Sequence, residues 1–153
     1  MNDLMDLAAV VLDRQAAAYD KPLPELTDES YARPFWEGLQ DEQLLLQQCP
    51  DCEHVQYFSR PWCGACGEPD LEWIEAEGTG TVQSYAVPRR NVANPTFEDD
   101  MPYLTGYVDL DEGVRMYSNI IDCEVDDVER GMDVEVVFDH SPETLTLPKF
   151  RPL

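Results

Sequence analysis

Four cysteines in two tight pairs constrain the fold of this chain more than any other feature of its sequence. The pairs are Cys49-Pro50-Asp51-Cys52 and Cys63-Gly64-Ala65-Cys66. Two residues between the sulfurs of each pair allow both thiolates to face one tetrahedral ion from a single turn. The intervening segment has ten residues, enough for one strand out and one strand back. The spacing therefore predicts one structural zinc ion held by Cys49, Cys52, Cys63 and Cys66 in a compact ribbon.

This closed coordination argues against catalysis at the cysteine pairs, because four protein ligands leave no open position for substrate or water. Outside the pairs, Cys123 ends an apolar stretch and is predicted to be a buried small hydrophobic residue. His54 either contacts a zinc-bound sulfur or lies on the ribbon surface, and His140 has no partner nearby in sequence. A nucleophile needs a base within hydrogen-bond reach. We therefore assign no catalytic residue to this chain and expect no activity from it alone.

The composition narrows the classes of partner. The chain has 32 acidic and 10 basic residues and a net charge of −22, and such a surface repels nucleic-acid phosphates and anionic membranes. An acid-rich, lysine-poor surface also suits a high-salt cytoplasm, so a halophilic source is one interpretation. No apolar run is long enough to span a membrane, and the acidic N-terminus has the wrong sign for a targeting signal. We expect a cytoplasmic protein, in which paired cysteines bind metal rather than form disulfides.

Periodicity predicts a mainly β chain with helices at its N-terminal end. Apolar residues at helical spacing predict a helix over 2–19, which packs either on this chain or on a partner, and a short helix within 31–46 capped at Thr27–Ser30. After Gly78 the pattern becomes β. The five predicted strands cover 79–87, 103–110, 114–123, 134–139 and 144–150. Strands at this spacing fit a five-stranded Greek-key barrel of the OB type, with Tyr117, Ile120 and Ile121 in the core.

These patterns divide the chain into three predicted regions: an N-terminal helical segment (1–45), a zinc ribbon (46–76) and an OB-fold domain with a C-terminal tail (77–153). The tail, Leu147 to Leu153, combines two prolines, two bases and an aromatic residue. It either docks on a partner or packs against the edge of the barrel.

From about residue 30 onward, seven short motifs occur in a fixed order: Pro34-Phe35-Trp36-Glu37-Gly38, Leu46 to Cys52, Arg60 to Cys66, Glu72-Trp73, Gly78 to Tyr85, Pro102-Tyr103-Leu104 and Leu110 to Gly113. With these motifs and this order of parts, the chain resembles a family long catalogued as domain of unknown function 35. That family has an N-terminal helical segment, a rubredoxin-like zinc ribbon and an OB-fold.

Proteins of this family are accessory subunits of thiolase-like enzymes that make or break carbon–carbon bonds on acyl-CoA thioesters. The resemblance therefore implies a hetero-oligomer in which a thiolase-like subunit supplies the catalytic residues. This chain would stabilise that subunit and help to position the CoA thioester, and its zinc would be structural. The first thirty residues lie outside the shared pattern.

CoA binding requires positive groups for phosphates beside an apolar surface. Arg89-Arg90 follows the first barrel strand, and Arg60 lies on the ribbon between Phe58 and Trp62. These arginines either line one cleft between ribbon and barrel or pair with local carboxylates. The alternative function is a single-stranded nucleic-acid-binding module, for which Tyr85, Tyr103, Tyr107 and Tyr117 supply aromatic rings but few bases supply a groove.

Overall fold

The computed structural model describes residues 19–90 and 93–153. The helix predicted over 2–19 lies outside these residues, apart from its last position. In chain order the elements are helix α1 (Arg33–Gln40) and strands β1 (Leu45–Gln48), β2 (Val55–Gln56), β3 (Glu72–Glu75), β4 (Thr79–Ala86), β5 (Leu104–Leu110), β6 (Arg115–Ile120), β7 (Asp133–Asp139) and β8 (Leu147–Pro152). A 3₁₀ helix (Pro95–Asp100) lies in the loop between β4 and β5. None of the helices among these residues is long and apolar enough to cross a membrane.

Helix α1 forms where the sequence predicts a short helix. Pro34 occupies its first turn, where a missing backbone N–H costs nothing, and Phe35 and Leu39 face the core four residues apart. The predicted capping by Thr27–Ser30 is wrong. Ala32 is the N-cap and has no side-chain cap, whereas Ser30 Oγ accepts a hydrogen bond from the Ala32 N–H in the preceding turn.

The ribbon is a three-stranded antiparallel sheet in the order β2-β1-β3. In β1, Leu46 pairs with Ile74 of β3, and Gln47 pairs with Gln56 of β2. The strands are only two to four residues long. Sheets this short need additional support, because they bury little apolar surface of their own. Leu44 and Leu46 provide part of it, since both are almost fully buried in a core that continues into the barrel.

The barrel is closed, in the order β4-β5-β6-β8-β7, with β7 pairing back to β4. Its single parallel contact joins Ile120 of β6 to Phe150 of β8. This order is that of the five-stranded Greek-key OB-fold, so the predicted fold class is confirmed. The interior is filled by side chains with at most 1% exposure: Val82, Val108, Met116, Val134 and Phe150.

Two details of the barrel differ from the sequence-based expectations. Strand β6 ends at Ile120 rather than Cys123, and Tyr117, predicted in the core, is 55% exposed. Tyr117 pairs with Tyr107 on β5, while its neighbours Met116 and Ile120 point inward. Because successive side chains of a strand point to opposite faces, Tyr117 must lie on the outer face.

The C-terminal segment is a barrel strand and not a projecting tail. Strand β8 pairs with β7 over six residues, from Leu147 opposite Asp139 to Pro152 opposite Val134. Its Phe150 is completely buried. Of the two interpretations of this segment, packing on the barrel is the one that the structure shows.

Phe150→Ala is expected to lower the free energy of unfolding by about 3–5 kcal/mol, because it removes a buried ring from the barrel centre. Leu153→Ala changes a side chain that is 72% exposed, and we expect a change within about 0.5 kcal/mol. Urea unfolding of the zinc-loaded protein measures both. Equal effects of the two changes would contradict the placement of β8 in the core.

Candidate metal centre and adjoining cleft

The four predicted metal ligands come together at one end of the ribbon. The Sγ atoms of Cys49, Cys52, Cys63 and Cys66 all lie within 4.8 Å of one another. The Sγ–Sγ distance is 3.6 Å both for Cys49–Cys66 and for Cys52–Cys63. A tetrahedral zinc ion with Zn–S bonds of about 2.3 Å requires sulfurs roughly 3.8 Å apart. A disulfide requires about 2.05 Å, so the arrangement fits a metal and not a pair of disulfides.

The backbone builds the two halves of this site in the same way. In the first half, the Cys49 N–H donates to the His54 carbonyl and the Glu53 N–H donates to the Cys49 carbonyl, each at 2.9 Å. In the second half, the Cys63 N–H donates to the Glu68 carbonyl at 2.8 Å and the Gly67 N–H donates to the Cys63 carbonyl at 2.9 Å. The residue four positions after the first cysteine is left-handed in both, at φ 63° for Glu53 and 83° for Gly67. Two equivalent turns therefore aim two thiols each at a common point.

The electrostatics of the cluster favour a bound cation. Backbone N–H groups of Cys66 and Ala65 lower the pKa of the Cys63 thiol to about 6. The Glu68 N–H lowers the pKa of the Cys66 thiol, but contacts with the three other thiols outweigh this effect and raise it to about 12. Without a metal the cluster therefore retains protons at neutral pH. A divalent cation removes this conflict, because it binds deprotonated thiolates and offsets their mutual repulsion.

Two buried glutamines connect the metal centre to the loop that carries Arg60. Gln56 Oε1 accepts a hydrogen bond from the Gly64 N–H at 2.9 Å, and Gln56 Nε2 donates to Gln47 Oε1 at 2.8 Å. Gln47 in turn accepts from the Arg60 N–H at 2.9 Å and donates to the Arg60 carbonyl at 3.0 Å. This network was not predicted from the sequence, because glutamines in short strands resemble surface residues.

A cleft of about 300 Å³ separates the ribbon from the barrel. Arg60 lines it from the ribbon, and Arg115 lines it from the barrel. Arg115 forms a double contact with Asp109, at 2.6 and 3.1 Å. Arg60 has no ion pair with any residue that the structure describes. The interpretation that Arg60 answers a local carboxylate is therefore not supported, and its guanidinium is available to an anion in the cleft.

Arg89 and Arg90 do not line this cleft. The hydrogen bond from the Asp111 N–H to the Thr79 carbonyl places the β5–β6 turn beside the start of β4, whereas the two arginines follow its end. Eight residues of strand separate the two positions, which corresponds to roughly 25 Å. Both arginines are exposed and neither forms an ion pair within residues 19–90 and 93–153. The structure thus brings together Arg60 and Arg115, and sequence reasoning missed Arg115.

A second cavity, of about 410 Å³, lies at the opposite end of the barrel. Lys21 and Lys149 both line it, together with the rings of Tyr19, Phe97 and Tyr103. Each lysine already has a carboxylate partner, at 2.7 Å from Lys21 to Asp100 and at 2.6 Å from Lys149 to Asp139. An anionic ligand would have to compete with those partners, so the ribbon–barrel cleft is the better anion site.

The remaining candidate groups are Cys123, His54 and His140. Burial raises the pKa of the Cys123 thiol, and Asp127 and Glu124 raise it further, so this thiol stays protonated at neutral pH. It is half-buried rather than buried. His54 is exposed at the cleft. The ring of His140 bridges Thr146 Oγ1 at 2.9 Å and Glu42 Oε1 at 3.3 Å, a pairing that its sequence neighbours did not reveal.

Comparison with known families agrees with this architecture. Residues 36–72 match the family model "ChsH2, rubredoxin-like zinc ribbon domain", and residues 73–139 match "ChsH2, C-terminal OB-fold domain". A "DUF35 domain-containing scaffold protein" of Methanocaldococcus jannaschii is 35% identical over 105 residues, which cover 67% of this chain and 73% of that protein. The chain belongs to the DUF35 family. The resemblance stated from the sequence is confirmed, and so is the assignment of one structural zinc.

Two further similar proteins are informative. A chain of the "Ltp2-ChsH2(DUF35) aldolase" superposes with a TM-score of 0.75 at 34% identity, over 85% of this chain and 98% of that one. The "Probable enoyl-CoA hydratase alpha subunit" of Thermomonospora curvata is 35% identical over 133 residues, or 86% of this chain. The match spans only 40% of that relative's length.

Removing the metal from this DUF35 chain with a strong chelator is expected to unfold the ribbon before the barrel, because the ribbon has too little core to stand alone. Hydrogen exchange, followed by mass spectrometry, should show loss of protection in 49–74 while β5 stays protected. Re-adding zinc should restore the pattern. Unchanged protection of the ribbon after verified metal loss would refute the prediction.

Gln47→Leu is expected to destabilise the zinc-loaded protein by about 1–3 kcal/mol, because it leaves buried polar groups of Arg60 and Gln56 without partners. Gln43→Leu is the matched control, since Gln43 is exposed. Denaturant midpoints compare the two variants. A Gln47 variant as stable as the control would show that the glutamine network contributes nothing to the fold.

Proposed function

We propose that this chain is a non-catalytic accessory subunit of a thiolase- or aldolase-type acyl-CoA enzyme complex. It would stabilise a thiolase-like catalytic subunit and help to position the CoA thioester, with zinc in a purely structural role. The observation that carries the proposal is the combination of a closed four-sulfur centre with an unpaired arginine, Arg60, in the cleft beside it.

The closed centre supports the accessory role. Four sulfurs in tetrahedral arrangement occupy all positions of a zinc ion, so no site is left to activate water or polarise a carbonyl. Among the described residues one hydroxyl is hydrogen-bonded to a histidine that also contacts a carboxylate, in the chain Thr146–His140–Glu42, but the Thr146 side chain is buried and so out of reach of a substrate. The reacting groups would therefore come from a partner, which is consistent with the two-component name of the similar "Ltp2-ChsH2(DUF35) aldolase".

The cleft supports a contact with CoA. Arg60 presents a planar cation suited to a phosphate, and the exposed rings of Phe58 and Trp62 flank it in sequence, 65% and 55% exposed. Arg60 has no carboxylate partner among the described residues, although the molecule has a net charge of −22, so its guanidinium can bind a phosphate without first breaking an ion pair. Arg89 and Arg90 remain candidates for a second phosphate contact at the far end of the barrel.

The accessory role is tested by co-expressing the chain with candidate thiolase-like subunits and purifying through a tag on this chain. A stoichiometric complex with higher acyl-CoA activity than the partner alone is expected. Recovery of the chain as a lone monomer, with no effect on partner activity, would exclude the proposal. Tight binding of single-stranded oligonucleotides at moderate salt would favour the nucleic-acid alternative instead.

Within such a complex, Arg60→Ala is expected to raise the KM for the CoA thioester about ten- to hundredfold, because a hydrogen bond to a charged group contributes about 1.5–3 kcal/mol. Arg130→Ala is the matched control: Arg130 also lacks an ion pair among the described residues, but it lies outside the cleft. Equal KM values for the two variants would remove Arg60 from the substrate site.

A further inference from the structure

The outer face of strands β5 and β6 has a composition unlike the rest of the molecule. Its side chains form three cross-strand pairs: Thr105 with Asn119, Tyr107 with Tyr117, and Asp109 with Arg115. The alternate residues of both strands point into the barrel, where Val108 and Met116 are fully buried. We call these six residues the tyrosine face; all lie on the outer side of the two strands, although Thr105 is itself buried there.

The tyrosine face is electrically neutral. Its two charged residues, Asp109 and Arg115, bind each other through two hydrogen bonds. This contrasts with a chain that has 32 acidic and 10 basic residues. Depletion of charge together with exposed tyrosine and arginine is the composition found at the centres of protein–protein interfaces.

Two exposed rings occupy the middle of this face. Tyr107 and Tyr117 are 45% and 55% exposed, and their ring centroids lie 5.0 Å apart. Neither hydroxyl is hydrogen-bonded to a residue that the structure describes. Paired rings on a closed barrel form a rigid amphipathic surface, which loses little conformational entropy when a partner covers it.

The tyrosine face is continuous with the ribbon–barrel cleft. Arg115 lines the cleft, and Tyr117 follows two positions later on the same side of β6. A body that covers the two tyrosines therefore also approaches the cleft in which Arg60 lies. Closing that cleft would exclude water from a bound thioester and strengthen the electrostatic contribution of Arg60.

We propose that the tyrosine face is the surface on which the catalytic subunit docks, and that this subunit presents an uncharged, hydrogen-bonding centre surrounded by lysine or arginine. This inference rests on the proposed function and adds the location and chemistry of the contact. A basic rim complements the net charge of this chain, which is −22. A second copy of this chain is a poor occupant, because two bodies of charge −22 repel each other.

This arrangement separates two kinetic effects. The neutral tyrosines act at short range after contact, so their loss should raise the dissociation rate. The net negative charge of the chain attracts a basic partner at a distance, so added salt should lower the association rate. A contact made through the acidic surface alone would show the salt effect without dependence on the tyrosines.

The experiment uses the subunit that forms a stable complex with the full wild-type chain on co-expression. The two proteins are purified separately, and their association is followed by surface plasmon resonance. Tyr117→Glu is expected to weaken binding at least about tenfold, mainly through faster dissociation, whereas Tyr117→Phe retains the ring and should bind within about threefold of wild type. Tyr31→Glu is the matched control, because Tyr31 is 61% exposed on a different part of the chain.

Hydrogen exchange of the wild-type complex provides a second measurement, which does not depend on the folding of any variant. Protection should increase in β5 and β6 and at the mouth of the cleft. Unchanged exchange of both strands, or unchanged binding of a folded Tyr117→Glu variant, would overturn the docking proposal while leaving the accessory role intact. Absence of any wild-type complex would overturn both.

Two further outcomes would also overturn the proposal. Sedimentation of the chain alone that reveals a dimer, which Tyr117→Glu dissociates, would assign the face to a second copy. Loss of partner binding in Phe58→Ser or Trp62→Ser, with none in Tyr117→Glu, would place the contact on the ribbon loop.

Discussion

The rest of this structure depends on one interaction, the binding of a single metal ion by the four clustered cysteine sulfurs. The ribbon strands are two to four residues long, too short to bury a core between them. The ion replaces that missing core, because it fixes two turns that have few other reasons to approach each other. The two turns fix both ends of the loop that carries Arg60, and this residue lines the cleft between ribbon and barrel. A metal that performs no chemistry can thus determine where a positive charge is placed.

Positive charge is scarce in this chain, and its distribution is informative. Lys21, Arg33, Arg115, Lys149 and Arg151 each have a carboxylate partner. Among the described residues Arg60, Arg89, Arg90 and Arg130 have none, and of these four Arg60 is the one that lines the ribbon–barrel cleft. An exposed ion pair adds little stability, so the absence of a partner costs the fold little. The absence of a partner favours ligand binding, since an arginine without a local carboxylate can bind an anion without first breaking an ion pair.

Local signals account for what could be predicted from the sequence. The spacing of the cysteines predicted that their sulfurs converge, because two intervening residues let both thiols of a pair face one ion from a single turn. The alternation in β4 to β7 located the barrel strands to within a few residues. The matching order of parts supported the family assignment, which the comparisons confirmed.

The face of the sheet on which a side chain lies depends on strand register, and this could not be predicted from the sequence alone. In β6 the aromatic ring of Tyr117 suggested a core position, but the inward side is formed by Met116, Ser118 and Ile120, and only pairing with β5 distinguishes the two faces. Arg115 could not be assigned to the cleft for the same reason. Arg89 and Arg90 were grouped with Arg60 as positive groups that one cleft between ribbon and barrel could bring together, yet the length of β4 separates them from that cleft.

The glutamine network explains how the metal centre and the cleft form one unit. Gln56 holds the Gly64 N–H within the second cysteine turn, and Gln47 holds both backbone polar groups of Arg60. Each amide has a specified partner, so neither can rotate without leaving a buried polar group unsatisfied. A displacement of the second turn would therefore be passed to the Arg60 backbone through two side chains. Zinc, the two glutamines and Arg60 are best regarded as a single rigid support that presents one guanidinium beside the tyrosine face.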